Sequence, residues 1–233
     1  MKKKQKTSDL SHLAIILDGN RRWAKKRGLP TLIGHKKGYE NVKNIADTCI
    51  EKGIKILTVF AFSTENWNRK KTEVTYLMNL LRNALLKDLD ELHEKGIRIK
   101  LVGQRQRLDK DLQKRIKNAE NKTKSNNKLL LQLAISYGGR AEITQAIKSI
   151  IKEKVPVAKI TEELISSYMW TAGAQDPDMI IRTSGEQRTS GFLTWQSVYS
   201  ELYFTKIPWP AFNKKELEKA INAYKQQQRR YGK

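Results

Sequence analysis

The stretch "LAIILDGNRRWAKKRG", Leu13 to Gly28, decides how the rest of the chain is read. It opens as an uninterrupted apolar run through Leu17, the composition of a strand buried on both faces. It then turns on Asp18-Gly19-Asn20 and passes straight into Arg21, Arg22, Lys25, Lys26 and Arg27 around Trp23. Gly19 and Asn20 suit a tight strand-to-helix turn, and the amides that open the following helix form an anion site that Arg22 strengthens. An unpaired carboxylate at Asp18 among these cations would be costly to bury, and a Mg²⁺ ion shared with a diphosphate would offset that cost.

Outward from this stretch, short apolar runs recur at His12–Leu17, Ile56–Phe62, Ile97–Val102, Leu129–Ser136, Met179–Arg182 and, more weakly, Glu201–Phe204. Helical periodicity fills the intervals over Gly34–Lys52, Glu73–Lys95, Leu108–Lys122, Arg140–Lys152 and Ile160–Thr171, and Lys214–Gln228 closes the chain. Strands alternating with helices predict a single α/β domain, residues 12–233, with a mostly parallel six-stranded sheet wrapped by helices. Residues 1–11 read as a basic N-terminal extension. The segment Glu73–Lys95 carries a broad stripe of Leu77, Leu80, Leu81, Ala84, Leu85, Leu89 and Leu92, which serves either an ordinary core face or the wall of an apolar tunnel.

Composition narrows the partners. Lys and Arg number 46 against 24 Asp and Glu, a formal net charge of +22 over 233 residues. That balance fits an anionic partner, although a solvated lysine-rich surface has the same composition. Charge is spread through every helix rather than gathered with aromatics in one patch, so nucleic acid is not predicted as a partner. Cys49 is the only cysteine, and His12, His35 and His93 have no metal-ligand spacing. "MKKKQK" is followed by an apolar run too short for a leader, and no run approaches the ~20 residues of a membrane span. These features predict a cytoplasmic protein, peripheral to the inner face of a membrane where it meets one.

In a parallel sheet, ligands bind beyond the carboxyl ends of the strands. Four of the apolar runs give way to polar segments at those ends: Asp18 to Trp23, Ser63 to Arg69, Tyr137 to Arg140, and Thr183 to Gly191. Arg182 and Arg188, with Ser190, supply a second set of phosphate donors unless surface ion pairs hold them. Trp23, Trp67 and Trp195 serve either the core or a ligand.

The blocks "HLAIILDGNRRWAKKRG", "GHKKGYENV", "LTVFAFSTENWNR", "SYGGR", "PDMIIRTSGEQR" and "FLTWQSVYSELYFTKIPWPAF" resemble, in order and spacing, the cis-prenyltransferases, the family of undecaprenyl diphosphate synthase. The resemblance covers His12 to about Gly232. It implies a homodimer with a hydrophobic tunnel in each subunit, and Mg²⁺-dependent condensation of isopentenyl diphosphate with an allylic diphosphate (farnesyl, geranyl or dimethylallyl). It also implies delivery of product to an anionic membrane surface.

Matched residue by residue, the resemblance makes Asp18 catalytic and metal-binding, and gives Gly19, Asn20, Arg22, Trp23 and His35 to the allylic diphosphate. Ser63, Glu65, Asn66, Trp67 and Arg69 match a segment over the site, with Asn66 a catalytic candidate for assisting proton removal. Arg182, Arg188 and Ser190 match the isopentenyl diphosphate pocket, and Glu201 a glutamate that supports the metal across the dimer. Arg230 and Gly232 match a tail that reaches the partner's active site.

Three departures bear on substrate choice. Thr31 stands where most members carry a second arginine on the allylic diphosphate, a loss of about 1.5–3 kcal/mol if that contact was charged and desolvated. Lys25, Lys26 and Arg27 are the nearby candidates to compensate. Gly191 replaces the asparagine of the usual Arg-x-Ser-Asn-Phe, and Ser184 the first of a glycine pair. The alternatives are therefore an irregular, head-to-middle or short-chain enzyme, or a non-catalytic subunit.

Overall fold

The computed structural model describes residues 10–227. Six strands form one sheet: β1 (His12–Ile16), β2 (Ile56–Ser63), β3 (Ile97–Val102), β4 (Leu129–Tyr137), β5 (Met179–Arg182) and β6 (Glu201–Phe204). Their order is β3-β4-β2-β1-β5-β6 and every neighbouring pair is parallel. All five residues of β1 are buried, as a central strand covered on both faces requires. Leu13 and Ile15 face one layer, with Ile45 and Leu217, while Ala14 and Ile16 face the other, with Phe192 and Leu193. The packed chain begins slightly before His12, because Leu10 is buried in the first of these clusters.

The helices are α1 (Asn20–Lys25), α2 (Thr31–Glu51), α3 (Lys71–Lys87), α4 (Leu89–Glu94), α5 (Lys110–Thr123), α6 (Gly139–Lys152), α7 (Glu162–Tyr168) and α8 (Lys214–Gln226). The segment read as one helix over Glu73–Lys95 is two: α3 stops at Asp88, whose φ of −107° and ψ of −2° leave the helical path, and α4 restarts at Leu89. The leucine stripe continues across the break, which is why periodicity alone does not reveal it.

Candidate active site

Strands β1, β2, β4 and β5 end side by side, and the segments after them surround a cavity of about 1050 Å³. At its centre, the Asp18 backbone is fixed by Trp209 N and Thr183 Oγ1, which donate to its carbonyl at 2.9 and 2.7 Å. The turn needs glycine at position 19, where φ is +101° and a Cβ would lie 2.5 Å from Ser184 Oγ.

The carboxylate of Asp18 is held from two sides. Arg182 Nη2 donates to Oδ2 at 2.9 Å, and Arg22 Nη2 lies 3.1 Å from Oδ1. Arg182, a buried side chain, also donates through Nη1 to Ser190 Oγ at 2.8 Å and Arg188 O at 2.7 Å. Its Nε has no partner among the described residues. The Arg22 and Arg188 guanidiniums then share Glu186, at 3.2 and 2.7 Å. The result is a continuous chain of alternating charge, Arg182–Asp18–Arg22–Glu186–Arg188, along one wall.

A second acid organises the opposite wall. Glu73, in the first turn of α3, accepts from Arg69 Nη1 at 2.9 Å, lies 3.2 Å from His35 Nε2, and has Arg21 Nη1 at 3.8 Å. Burial holds the His35 imidazole below its ordinary pKa of 6.5; Glu73 pulls it up, and Arg69 and Arg21 add to the lowering. The Ser63–Arg69 segment forms a 3₁₀ turn over Thr64–Asn68, closed by reciprocal hydrogen bonds between Ser63 and Asn66, with Ser63 N donating to Asn66 Oδ1 at 3.2 Å.

Of the residues singled out from sequence, Asp18, Gly19, Asn20, Arg22, His35, Ser63, Glu65, Asn66, Arg69, Arg182 and Ser190 line this cavity. Arg188 reaches it through Glu186 and through its own carbonyl. The two tryptophans lie off the wall. Trp23 stacks under the Arg27 guanidinium at 4.4 Å, while Trp67 donates to Ser136 Oγ at 2.9 Å, meets Phe62 edge-on and lies under Arg107. Trp67 thus anchors the 3₁₀ turn from behind. Glu201 pairs with Met179 at the start of β6, about 10 Å of strand from the site edge of its own chain. Arg230 and Gly232 lie outside the described residues.

Sequence reasoning misses Glu73, Glu186 and two further cations on the wall, Arg21 and Arg140, while Lys25, a candidate to compensate for Thr31, does line the cavity. The four-residue step from Arg69 to Glu73 is the available signal for the first of these. Gly191 has φ +75°, and its carbonyl accepts from Gly139 N at 2.8 Å, so this departure keeps a left-handed backbone position that glycine and asparagine both tolerate.

A smaller cavity of about 140 Å³ opens from the first, sharing Leu17, Asn20, His35, Ala61 and Leu77. Its walls are the leucine stripe of α3 and α4, facing Val59 of β2 and Leu131, Leu133 and Ile135 of β4. A cation-lined cavity continuous with a hydrocarbon-lined one is built for a molecule with a charged head and an apolar tail.

Residues 16–232 match the family model described as "Putative undecaprenyl diphosphate synthase". The chain belongs to this undecaprenyl diphosphate synthase family. Among its prenyltransferase relatives, an isoprenyl transferase of Clostridium perfringens is 47% identical over 95% of this chain and 89% of its own. A farnesyl-diphosphate-specific ditrans,polycis-undecaprenyl-diphosphate synthase of Legionella pneumophila is 44% identical over 95% and 94%. The crystal structure of lavandulyl diphosphate synthase from Lavandula x intermedia, in complex with dimethylallyl diphosphate, superposes with a TM-score of 0.91 at 35% identity, covering 96% of this chain and 98% of that one. The protein is accordingly a prenyltransferase, and the two cavities are its candidate substrate sites.

Among the described residues no group of three or more His, Cys, Asp or Glu side chains gathers as a ready-made metal cage. Mg²⁺ in phosphate-handling sites is commonly held by one or two carboxylates plus substrate oxygens, and Asp18, alone at the cavity centre, fits that arrangement.

Proposed function

We propose that the enzyme elongates an allylic prenyl diphosphate with isopentenyl diphosphate, forming cis double bonds. The observation that carries this reading is the junction at His35, where a phosphate-sized set of arginines meets a hydrocarbon wall.

Gly19, Asn20, Arg22 and His35 bind the allylic diphosphate, and its tail enters the apolar cavity, which becomes the hydrophobic tunnel. Arg182, Arg188 and Ser190 bind the diphosphate of isopentenyl diphosphate. Each diphosphate replaces a carboxylate as the partner of cations already in place, so little reorganisation is required. The allylic C–O bond breaks with its electron pair leaving on diphosphate, the double bond of isopentenyl diphosphate attacks the exposed carbon, and the carbon next to the new cationic centre then loses a proton to the released diphosphate, forming the new double bond. Asn66 and, second to it, Ser63 line the site and would assist that loss. Asp18, with Glu201 of the partner subunit, would hold Mg²⁺, which when bound supplies positive charge to the leaving diphosphate.

The assembly we propose is a homodimer through the β6 edge, where Val198 and Leu202 are 74% and 49% exposed. The segment containing Arg230 and Gly232 would then serve the partner's site. No helix among the described residues is long and apolar enough to cross a membrane. The enzyme we propose is cytoplasmic, and its net charge of +22 would favour visits to an anionic inner membrane face to release its hydrocarbon product.

The test is incubation with Mg²⁺, labelled isopentenyl diphosphate and, separately, dimethylallyl, geranyl or farnesyl diphosphate, with products sized by mass spectrometry. A ladder in five-carbon steps is expected. A coupling product formed without isopentenyl diphosphate would establish irregular condensation instead, and no product from pure protein a non-catalytic subunit.

A further inference from the structure

The apolar cavity is too small for the product of repeated additions. A dry aliphatic cavity of about 150 Å³ takes one benzene-sized molecule, so the resting space of about 140 Å³ holds roughly one five-carbon unit. Further growth has to part the wall.

The wall between α2 and α3 is pinned at two levels. At the mouth, His35 meets Glu73. Deeper, Tyr39 donates to Asp88, Lys43 Nζ lies 3.1 Å from Asp88 Oδ1, and Lys43 also reaches Glu91. Between these pins α2 advances four residues, from His35 to Tyr39, and α3 fifteen, from Glu73 to Asp88. At 1.5 Å per residue those are about 6 and 22 Å. The intervening stretch of α3, which carries Leu77, Leu81, Ala84 and Leu85, makes no side-chain hydrogen bond or ion pair to α2 among the described residues and lies over the cavity. Apart from Asn20 and His35 at the mouth, Tyr39 and Lys43 are the polar side chains on this cavity's wall. The deeper pin also sits on the backbone break at Asp88, between α3 and α4.

We propose that the Tyr39–Asp88–Lys43 cluster is the length-setting gate of the hydrocarbon channel: it holds α2 to the α3–α4 break and resists the parting of the wall that a longer chain requires. Parting it would separate half-buried charges from their partners with only hydrocarbon to take their place. This inference rests on the elongation reading above. It adds which side chains end the chain.

Wild type, Tyr39→Phe and the double variant Lys43→Met with Asp88→Leu are compared with farnesyl diphosphate, labelled isopentenyl diphosphate and Mg²⁺. The readout is the distribution of chain lengths among products, with folding followed by thermal melting. Replacing the charge pair by hydrocarbon of similar bulk leaves Glu91 paired with Lys95, at 2.9 Å. The expected result is a most abundant product longer by at least one five-carbon unit in the double variant, and a smaller shift the same way in Tyr39→Phe. An unchanged or shortened distribution in both overturns the gate while elongation stands. If the double variant does not fold, Tyr39→Phe, which removes one oxygen and keeps the ring, decides alone. A wild type that adds no isopentenyl diphosphate defeats the elongation reading, and the gate with it.

Discussion

On one side of His35 the wall presents Arg22, Arg182 and Arg69, each already paired with an acid; on the other it presents Leu77, Leu81, Ala84 and Leu85 around a space of about 140 Å³. The charged side is finished before substrate arrives, because Asp18, Glu186 and Glu73 keep mutually repelling cations together at the strand ends. A diphosphate has only to exchange with carboxylates. The apolar side is unfinished, since its close-packed aliphatic walls offer no room beyond that space until something moves. If the first region governs chemistry and the second product size, as we propose, perturbations of the two should separate cleanly.

The largest expected effect is at Asp18. Asp18→Ala leaves Arg182 and Arg22 without their shared partner and removes the cavity's central carboxylate. Turnover should fall by about 10²–10³-fold or more, the scale for loss of a group that stabilises transition-state charge. Near-normal turnover in a folded variant would remove the role assigned to this residue. A smaller effect, of a different kind, is expected from Ala84→Phe on the apolar wall. Overpacking there costs about 1–3 kcal/mol of stability, visible in a melt, and the ratio of long to short products should fall. A lower overall rate with an unchanged ratio would break the division between the two regions.

His35 lies where they meet and gives a subtler signal. Burial keeps its pKa below 6.5, so the ring is neutral near pH 7 in the free enzyme. A diphosphate bound beside it raises that pKa, so binding takes up a proton, and affinity increases as pH falls from the bound value toward the free one. Calorimetry of allylic diphosphate binding near pH 6.5, in two buffers of different ionisation heat, should register fractional proton uptake in wild type. His35→Asn should lose that fraction, leaving only the proton exchange of the ligand itself, which runs toward release because the arginines favour its ionised form. Equal uptake in both would mean that the imidazole stays neutral throughout.

Much of this architecture is legible in sequence because strands covered on both faces are written as continuous apolar runs, and β1 to β6 fall where those runs do. The convergence of Asp18, Ser63, Tyr137 and Arg182 is a consequence of the parallel topology. Interactions between distant segments are harder to read. Nothing near Trp67 announces Ser136 or Arg107, and so an aromatic in a functional block reads as a ligand contact when it is an anchor. The break at Asp88 is hidden because leucines at 85, 89 and 92 continue the helical period. Glu73 and Glu186 escape a reading of the sequence because an acid looks out of place in a phosphate site, whereas their work is to hold cations in the absence of phosphate.

The smallest effect concerns Thr31, which opens α2 where most relatives, by resemblance, would place an arginine. The sequence alone suggests a weakened allylic subsite, so that Thr31→Arg should tighten farnesyl diphosphate binding substantially. The structure changes that expectation. Thr31 does not line the cavity, whereas Arg21 and Lys25 do, and of the other candidates to compensate, Arg27 is engaged with Trp23. A guanidinium placed at position 31 would add to two cations already present, from a partly exposed site where a single ion pair is worth less than about 1 kcal/mol. That corresponds to a tightening of no more than about fivefold by calorimetry. The double variant Arg21→Gln with Lys25→Gln should lose affinity, and adding Thr31→Arg to that background should restore more than it adds to wild type. If Thr31→Arg instead tightens the wild type by about tenfold or more, a gain of about 1.4 kcal/mol, Arg21 and Lys25 do not reach the diphosphate, and the charged cavity is less complete than its resting ion pairs suggest.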